Sequence, residues 1–343
     1  MKKKHWLIAG ILAIVTFLLG LLANSIMNRS QEAEFIAKGG NNLPDQECKN
    51  ELFAPFYPRQ YDSWRATADT TFRSRYMSSQ DDDLLALRPE MVVLWAGYAF
   101  SKGYNAPRGH MHAIEDVTKI LRTGAPTDST HSPQPGTCWT CKSPDVPRLM
   151  KKVGLDNYYS APWDKWGNEI VNPIGCATCH NTKTMKLEIH QPALVEAFER
   201  QGKDINNATH QEMRSLVCAQ CHVEYYFKGD KKHLTFPWDK GMTIEKMEEY
   251  YDAEGWTDYV HKLSRTPILK AQHPDYELSQ LGIHGQRGVS CADCHMPYKT
   301  DGAVKFTDHQ ISSPLRNVSA SCQTCHRQSE DDLKNNVFER QDA

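Results

Sequence analysis

Four stretches, "CATCH" at 176–180, "CAQCH" at 218–222, "CADCH" at 291–295 and "CQTCH" at 322–326, repeat one pattern: two cysteines separated by two residues and followed at once by histidine. A fifth, "CWTCK" at 138–142, keeps the cysteine spacing but closes with Lys142. C-x-x-C-H is the attachment signature of c-type haem, in which both thiols add to the vinyl groups and the histidine becomes the proximal iron ligand. Zinc also uses C-x-x-C pairs, but it joins two pairs or sets its histidines several residues apart. A thioredoxin-like redox pair needs a βαβ context that the sequence lacks, and a disulfide at this spacing is geometrically awkward. Four copies favour haem over all three. The attachment groups are then Cys176, Cys179 and His180; Cys218, Cys221 and His222; Cys291, Cys294 and His295; and Cys322, Cys325 and His326.

The chain has 343 residues and a formal net charge of -2, which argues against a nucleic-acid partner. Of its 11 cysteines only Cys48 stands outside the five units. "DQECKN" lacks the small-residue run that precedes a lipid-modified cysteine, so Cys48 reads as an incidental thiol. At the N-terminus, Lys2, Lys3 and Lys4 precede an uncharged run from Trp6 to Ala23, close to the minimum for a membrane-spanning helix and without a clear A-x-A cleavage site. An uncleaved signal anchor over residues 1–27 is favoured over a cleaved signal peptide, and the rest of the chain is then exported to the periplasm or the outer face of the cytoplasmic membrane. Residues 28–47 are polar and read as a linker, and residues 48–343 as one domain.

Helices are expected in "PALVEAFERQG" after Pro192, in "TIEKMEEYYDAEGW" from Thr243 and in "SEDDLKNNVFERQ", where Ser329 can cap. Alternating β patterns are scarce. Mean hydropathy is -0.61 and proline and glycine are frequent, so the expected class is mainly α, with short helices and long irregular connections packed around haems.

A low-spin haem needs a second axial ligand. Among the remaining histidines, His110 in "PRGH", His284 in "GIHG" and His309 in "TDH" lie in glycine-, proline- or aspartate-flanked loops that could present one. Lys142 could ligate iron only as the neutral amine, so its site would have to lower a pKa that is ordinarily about 10.4.

The segments "CWTCKSPDVPRL", "PRGH", "LRTGAP", "CHVEYYF", "KAQHPDYE" and "GIHG" together resemble the pentahaem cytochrome c nitrite reductases that form ammonia. The resemblance runs from about Phe53 to His326. It implies that Cys138, Cys141 and Lys142 hold the catalytic haem, with Arg122, Tyr225 and His273 around the substrate. It implies a calcium ion held by side-chain oxygens of Glu224 and Gln272 and main-chain oxygens of Tyr225 and Lys270. It also implies His110 as distal ligand for the Cys218/Cys221 haem, His309 for the Cys176/Cys179 haem and His284 for the Cys322/Cys325 haem. Five haem c groups, one calcium ion, nitrite as substrate, a homodimer and a quinol-oxidising multihaem cytochrome as electron donor complete what the family implies.

In chemical terms, Arg122 and a protonated His273 could stabilise negative charge on nitrite and deliver protons, while four further haems relay electrons. The alternative is a multihaem electron carrier without substrate chemistry. Family members continue past the last haem unit with helices that supply the distal histidine of the Cys291/Cys294 haem. The expectation is therefore a C-terminally incomplete chain. Otherwise the Cys291/Cys294 haem is five-coordinate or takes one of His112, His131, His190, His210, His233 or His261.

Overall fold

The computed structural model describes residues 2–37, 42–123, 134–302 and 304–343. Gly124 to Pro126 of "LRTGAP" and His131 lie outside them.

Helix Lys2–Ala37 opens the chain. Its segment Lys4–Gln31, 28 residues that include an 18-residue window of mean hydropathy 2.6 with none of that window buried, is long and apolar enough to cross a membrane. At 1.5 Å per residue that segment spans about 42 Å, against a hydrocarbon thickness of about 30 Å. The helix continues to Ala37, well into the segment expected to be a polar linker. Gln31, Glu32, Ala33 and Glu34 are strong helix formers, and the first breakers in the sequence are Gly39 and Gly40.

The body is mainly helical, and the three helices expected from sequence form. Pro192–Arg200 begins with proline, whose missing N–H costs nothing there. Ile244–Glu254 is capped by the Thr243 side chain on Lys246 N–H and closed by Gly255 at φ 61°. Glu330–Asp342 is capped by Ser329, with Glu330, Asp331 and Asp332 set against the positive end of the helix dipole. Helix His210–Ala219 opens with a capping box between Thr209 and Glu212 and carries Cys218 near its end. Among the described residues the sheet is confined to three antiparallel hairpins: Tyr226–Lys228 with His233–Thr235, Tyr259–Val260 with Pro267–Ile268, and Tyr298–Asp301 with Val304–Thr307.

The main core is built around the exceptional cysteine unit. Trp139 is fully buried, stacks on Trp163 at 4.6 Å and 11°, and donates its indole N–H to the Trp163 carbonyl at 2.8 Å. Thr137 and Thr140 are buried beside it, and Val146, Leu149, Leu194, Leu216 and Trp238 close the same cluster. Cys48 is buried and donates to the Pro144 carbonyl at 3.3 Å, while burial and nearby Asp145 push its thiol up to about 12. It is a packing group, in keeping with its reading as an incidental thiol.

Candidate haem centres and active site

The structure pairs two of the C-x-x-C-H histidines with two of the candidate distal ones. His180 and His309 have ring centres 6.3 Å apart, and His284 and His326 have theirs 6.0 Å apart. Two imidazoles sharing one iron would have centres about 6 Å apart, since each ring bonds the metal through its near nitrogen at roughly 2 Å. His180 Nδ1 donates to the Met185 carbonyl at 2.8 Å and His309 Nδ1 to the Thr307 carbonyl at 2.7 Å, which fixes each ring and leaves Nε2 free.

The glycines beside two of these histidines have a steric reason. A Cβ on Gly109 would lie 2.0 Å from the Thr67 carbonyl oxygen, and one on Gly285 would lie 2.1 Å from that of Ser279. Only glycine lets the chain pass so close while presenting His110 and His284. His110 is packed against the charges of His222 and Lys142, and burial first of all holds its pKa down to about 4.

His295 turns Nδ1 to the Ser312 carbonyl at 3.1 Å. Among the described residues no second imidazole ring contacts it. His112, His190, His233 and His261 are bonded elsewhere, to the Ala68 carbonyl, the His180 carbonyl, Asp156 and the Val93 carbonyl, and His210 starts a helix.

Contacts between thiols and backbones string the five units together. The Cys141 thiol acts electrostatically on that of Cys221, and the Cys218 thiol on that of Cys291. Ser321 donates to the Cys294 carbonyl at 2.8 Å, joining the third and fourth histidine units. Gln220 Nε2 donates to the Thr178 carbonyl at 3.2 Å, joining the first and second. The Lys142 unit therefore meets the chain of units at Cys221.

Around Lys142 lie the residues named for the substrate pocket. Lys142 is half-buried, and among the described residues its Nζ has no hydrogen bond or ion pair. Arg122 shares electrostatic contact with Tyr225 and Cys138, and burial lowers its pKa. Tyr225 and His273 have ring centres 5.6 Å apart, and His273 lies 5.8 Å from His222. Burial, followed by the charges of His222 and Lys142, lowers His273 to about 4. A histidine whose pKa is lowered this far is neutral near pH 7, although the His273 residue itself is exposed to solvent.

The residues implied for calcium also converge. Glu224 accepts Gln272 N–H at 2.6 Å and the Tyr251 hydroxyl at 2.9 Å, and Lys270 Nζ donates to Gln272 Oε1 at 3.1 Å. Burial pushes Glu224 up to about 7, with Asp258 and Glu277 adding to it. Those two acids are raised as well, and Glu277 keeps one buried carboxylate oxygen without a partner. A crowd of buried and half-buried acids with Lys270 beside it is an environment that a divalent cation would relieve.

Among the described residues no cysteine of the C-x-x-C pairs belongs to a cluster with metal-ligand geometry. Among the described residues the one cluster with metal-ligand geometry is His222, His273 and Asp275, without a cysteine. Five C-x-x-C pairs of free thiols, half-buried except for the exposed Cys325, paired imidazoles at the iron-sharing distance and a mainly helical body define a multihaem c-type cytochrome.

Within that class, the cytochrome c552 family matches residues 49–343, and the chain belongs to it. Cytochrome c-552 of Bacteroides thetaiotaomicron is 62% identical over 337 residues, covering 98% of this chain and 68% of that protein. Its counterpart in Desulfotalea psychrophila is 48% identical, over 98% of this chain and 67% of that protein. A solved cytochrome c nitrite reductase from Desulfovibrio desulfuricans, described for the two calcium sites of its catalytic subunit, superposes with a TM-score of 0.82 at 33% identity, over 87% of this chain and 68% of that one.

Several residues of the site carry no motif of their own. Asp275 bonds His222, Phe100 packs against Arg122 and Lys270, and Glu277 receives Glu224 N–H and the Trp238 indole. The signal for Asp275 was its place inside "KAQHPDYE". Phe100 lies in an aromatic run, "WAGYAFSKGY", that reads equally well as core.

Proposed function

We propose that this protein reduces nitrite to ammonia at the unit Cys138, Cys141 and Lys142, with five covalently attached haem c groups carried by residues 48–343. Lys142 carries this reading. It is a half-buried amine without a polar partner among the described residues, standing where four sister units have histidine. The neighbouring Arg122, Tyr225 and His273 supply the substrate chemistry, and the solved relative that the fold resembles is a nitrite reductase.

When bound, the haems supply the reducing centre and the electron relay that a six-electron conversion requires. Arg122 presents N–H donors to the oxygens of the small anion. Tyr225 offers a hydroxyl that burial keeps protonated. Neutral His273 takes up a proton from solvent on one nitrogen and passes one from the other as N–O bonds break. Calcium is the ion assigned to Glu224, Tyr225, Lys270 and Gln272, whose donors are all hard oxygens. It would fix Tyr225 and His273 through their neighbours.

The same reading makes residues 1–27 a membrane anchor, residues 28–47 a tether and the body an exported homodimer. Its electron donor is then a quinol-oxidising multihaem cytochrome in the membrane. Electron paramagnetic resonance of the oxidised holoprotein tests the reading. A nitrite-sensitive signal distinct from the bis-histidine haems is expected, and low-spin haem alone with no response to nitrite would return the protein to the electron-carrier class.

A further inference from the structure

Arg122 is a half-buried cation, and among the described residues no carboxylate pairs with it. Its guanidinium carbon lies 4.3 Å from the ring centre of Phe100 and 5.9 Å from that of Tyr104. The Lys270 ammonium lies 4.7 Å from the same Phe100 ring. Phe100 is itself held by aromatic neighbours: it stacks on Tyr98 at 5.0 Å and 15°, and Tyr98 stacks on Tyr259 at 4.7 Å and 11°. Trp95 meets its edge at 5.5 Å.

The choice of partner matters for what an arginine can do. A carboxylate would occupy two of its N–H donors and cancel its charge. An aromatic face attracts the flat face of the guanidinium and leaves the in-plane N–H edge and the full charge available. That is what an arginine needs if its task is to take an anion into a partly dry pocket.

We propose that Phe100 is a positioning residue for Arg122. It holds the guanidinium by its face, with the N–H edge free for nitrite, and by holding Lys270 on the same ring it ties the anion-binding arm to the segment "KAQH". This rests on the reading of Arg122 as a substrate-binding group. Phe100 touches neither substrate nor haem in this role and acts only through the two cations.

The test uses the haem-loaded protein and sodium nitrite, with the dissociation constant taken from the absorbance change of the oxidised protein and KM and kcat from turnover. Phe100→Leu, and Phe100→Met as a second variant of different shape, are expected to raise the dissociation constant and KM about fivefold to tenfold, with a smaller change in kcat. Phe100→Tyr and Phe100→Trp keep an aromatic face and should bind nitrite within about twofold of wild type. In an Arg122→Ala background Phe100→Leu should add less than about twofold, because the ring then has no guanidinium to hold. Haem content and circular dichroism identify any variant that fails to load or fold. Should Leu and Met both bind nitrite as wild type does, or should Phe100→Leu add its full effect without Arg122, the inference is overturned. A wild-type dissociation constant in Arg122→Ala alone would instead overturn the reading of Arg122 beneath it.

Discussion

His222 Nδ1 lies 3.0 Å from the Asp275 carboxylate, whereas His180, His295 and His309 turn the same nitrogen to main-chain carbonyls. A carboxylate draws the imidazole proton more strongly than a carbonyl does, so His222 is the more electron-rich ligand and a haem on it is harder to reduce. Its unit is also the one whose Cys221 thiol acts electrostatically on Cys141 of the Lys142 unit. Asp275→Asn keeps the size and removes the charge. It should raise the midpoint potential of one haem by on the order of tens of millivolts and leave the others in place. Spectroelectrochemical titration reads this directly, and unchanged potentials would show that the carboxylate does not tune His222.

Calcium binding should depend on pH through Glu224. Burial first, then Asp258 and Glu277, push its carboxyl up to about 7. Below that pH a cation must displace a proton, so the apparent calcium affinity should weaken about tenfold per pH unit below ~7 and level off above it. Calcium titrations of chelator-stripped holoprotein from pH 5.5 to 8 measure the slope, and Glu224→Gln should abolish it along with most of the affinity. A slope that survives the substitution would move the gating group elsewhere.

The sequence was most readable where chemistry fixes spacing. The C-x-x-C-H units, and the glycines beside His110 and His284, are constraints of covalent attachment and close backbone approach, and these hold in any context. Helices came through where a cap marked them, as at Thr243 and Ser329. Charge states did not. The protonated His273 of the sequence reading followed from its role alone, and the influences on its charge, desolvation first and then His222 and Lys142, come from residues distant in sequence. Phe100 was missed for a similar reason, since a phenylalanine in an aromatic run looks like core until the cations Arg122 and Lys270 are seen against it.

The exceptional unit should also be the mechanical centre of the body. Trp139 sits between its two cysteines, is fully buried and both stacks on and hydrogen-bonds to the Trp163 segment. Trp139→Ala should lower the unfolding free energy by about 3–5 kcal/mol, in the range for deleting a large buried ring. Trp139→Phe, which keeps the stack and loses the indole bond, should cost about 1–2 kcal/mol. Denaturant titration of the haem-loaded proteins distinguishes the two, and equal small losses would mean that the ring is less confined than its burial indicates.

His273 offers a check on the pocket that is independent of turnover. Burial, then His222 and Lys142, lower its folded pKa to about 4, with Asp275 opposing, while in the unfolded chain a histidine titrates near about 6.5. Between those values the unfolded state holds a proton that the folded state lacks, so this group takes stability away as pH falls from about 6.5 to 4 and has no effect above. Buried Glu224 acts in the opposite sense, because its raised pKa makes the folded state the better proton binder between about 4.5 and 7. The total profile therefore mixes both signs, and the useful quantity is the difference between wild type and His273→Gln. Wild type should take up close to one additional proton on unfolding at pH 5 and should lose stability more steeply than the variant over that window. Unfolding midpoints at pH 7.5, 6 and 5 give the difference, and parallel curves would show that His273 is solvated and free to carry charge at rest.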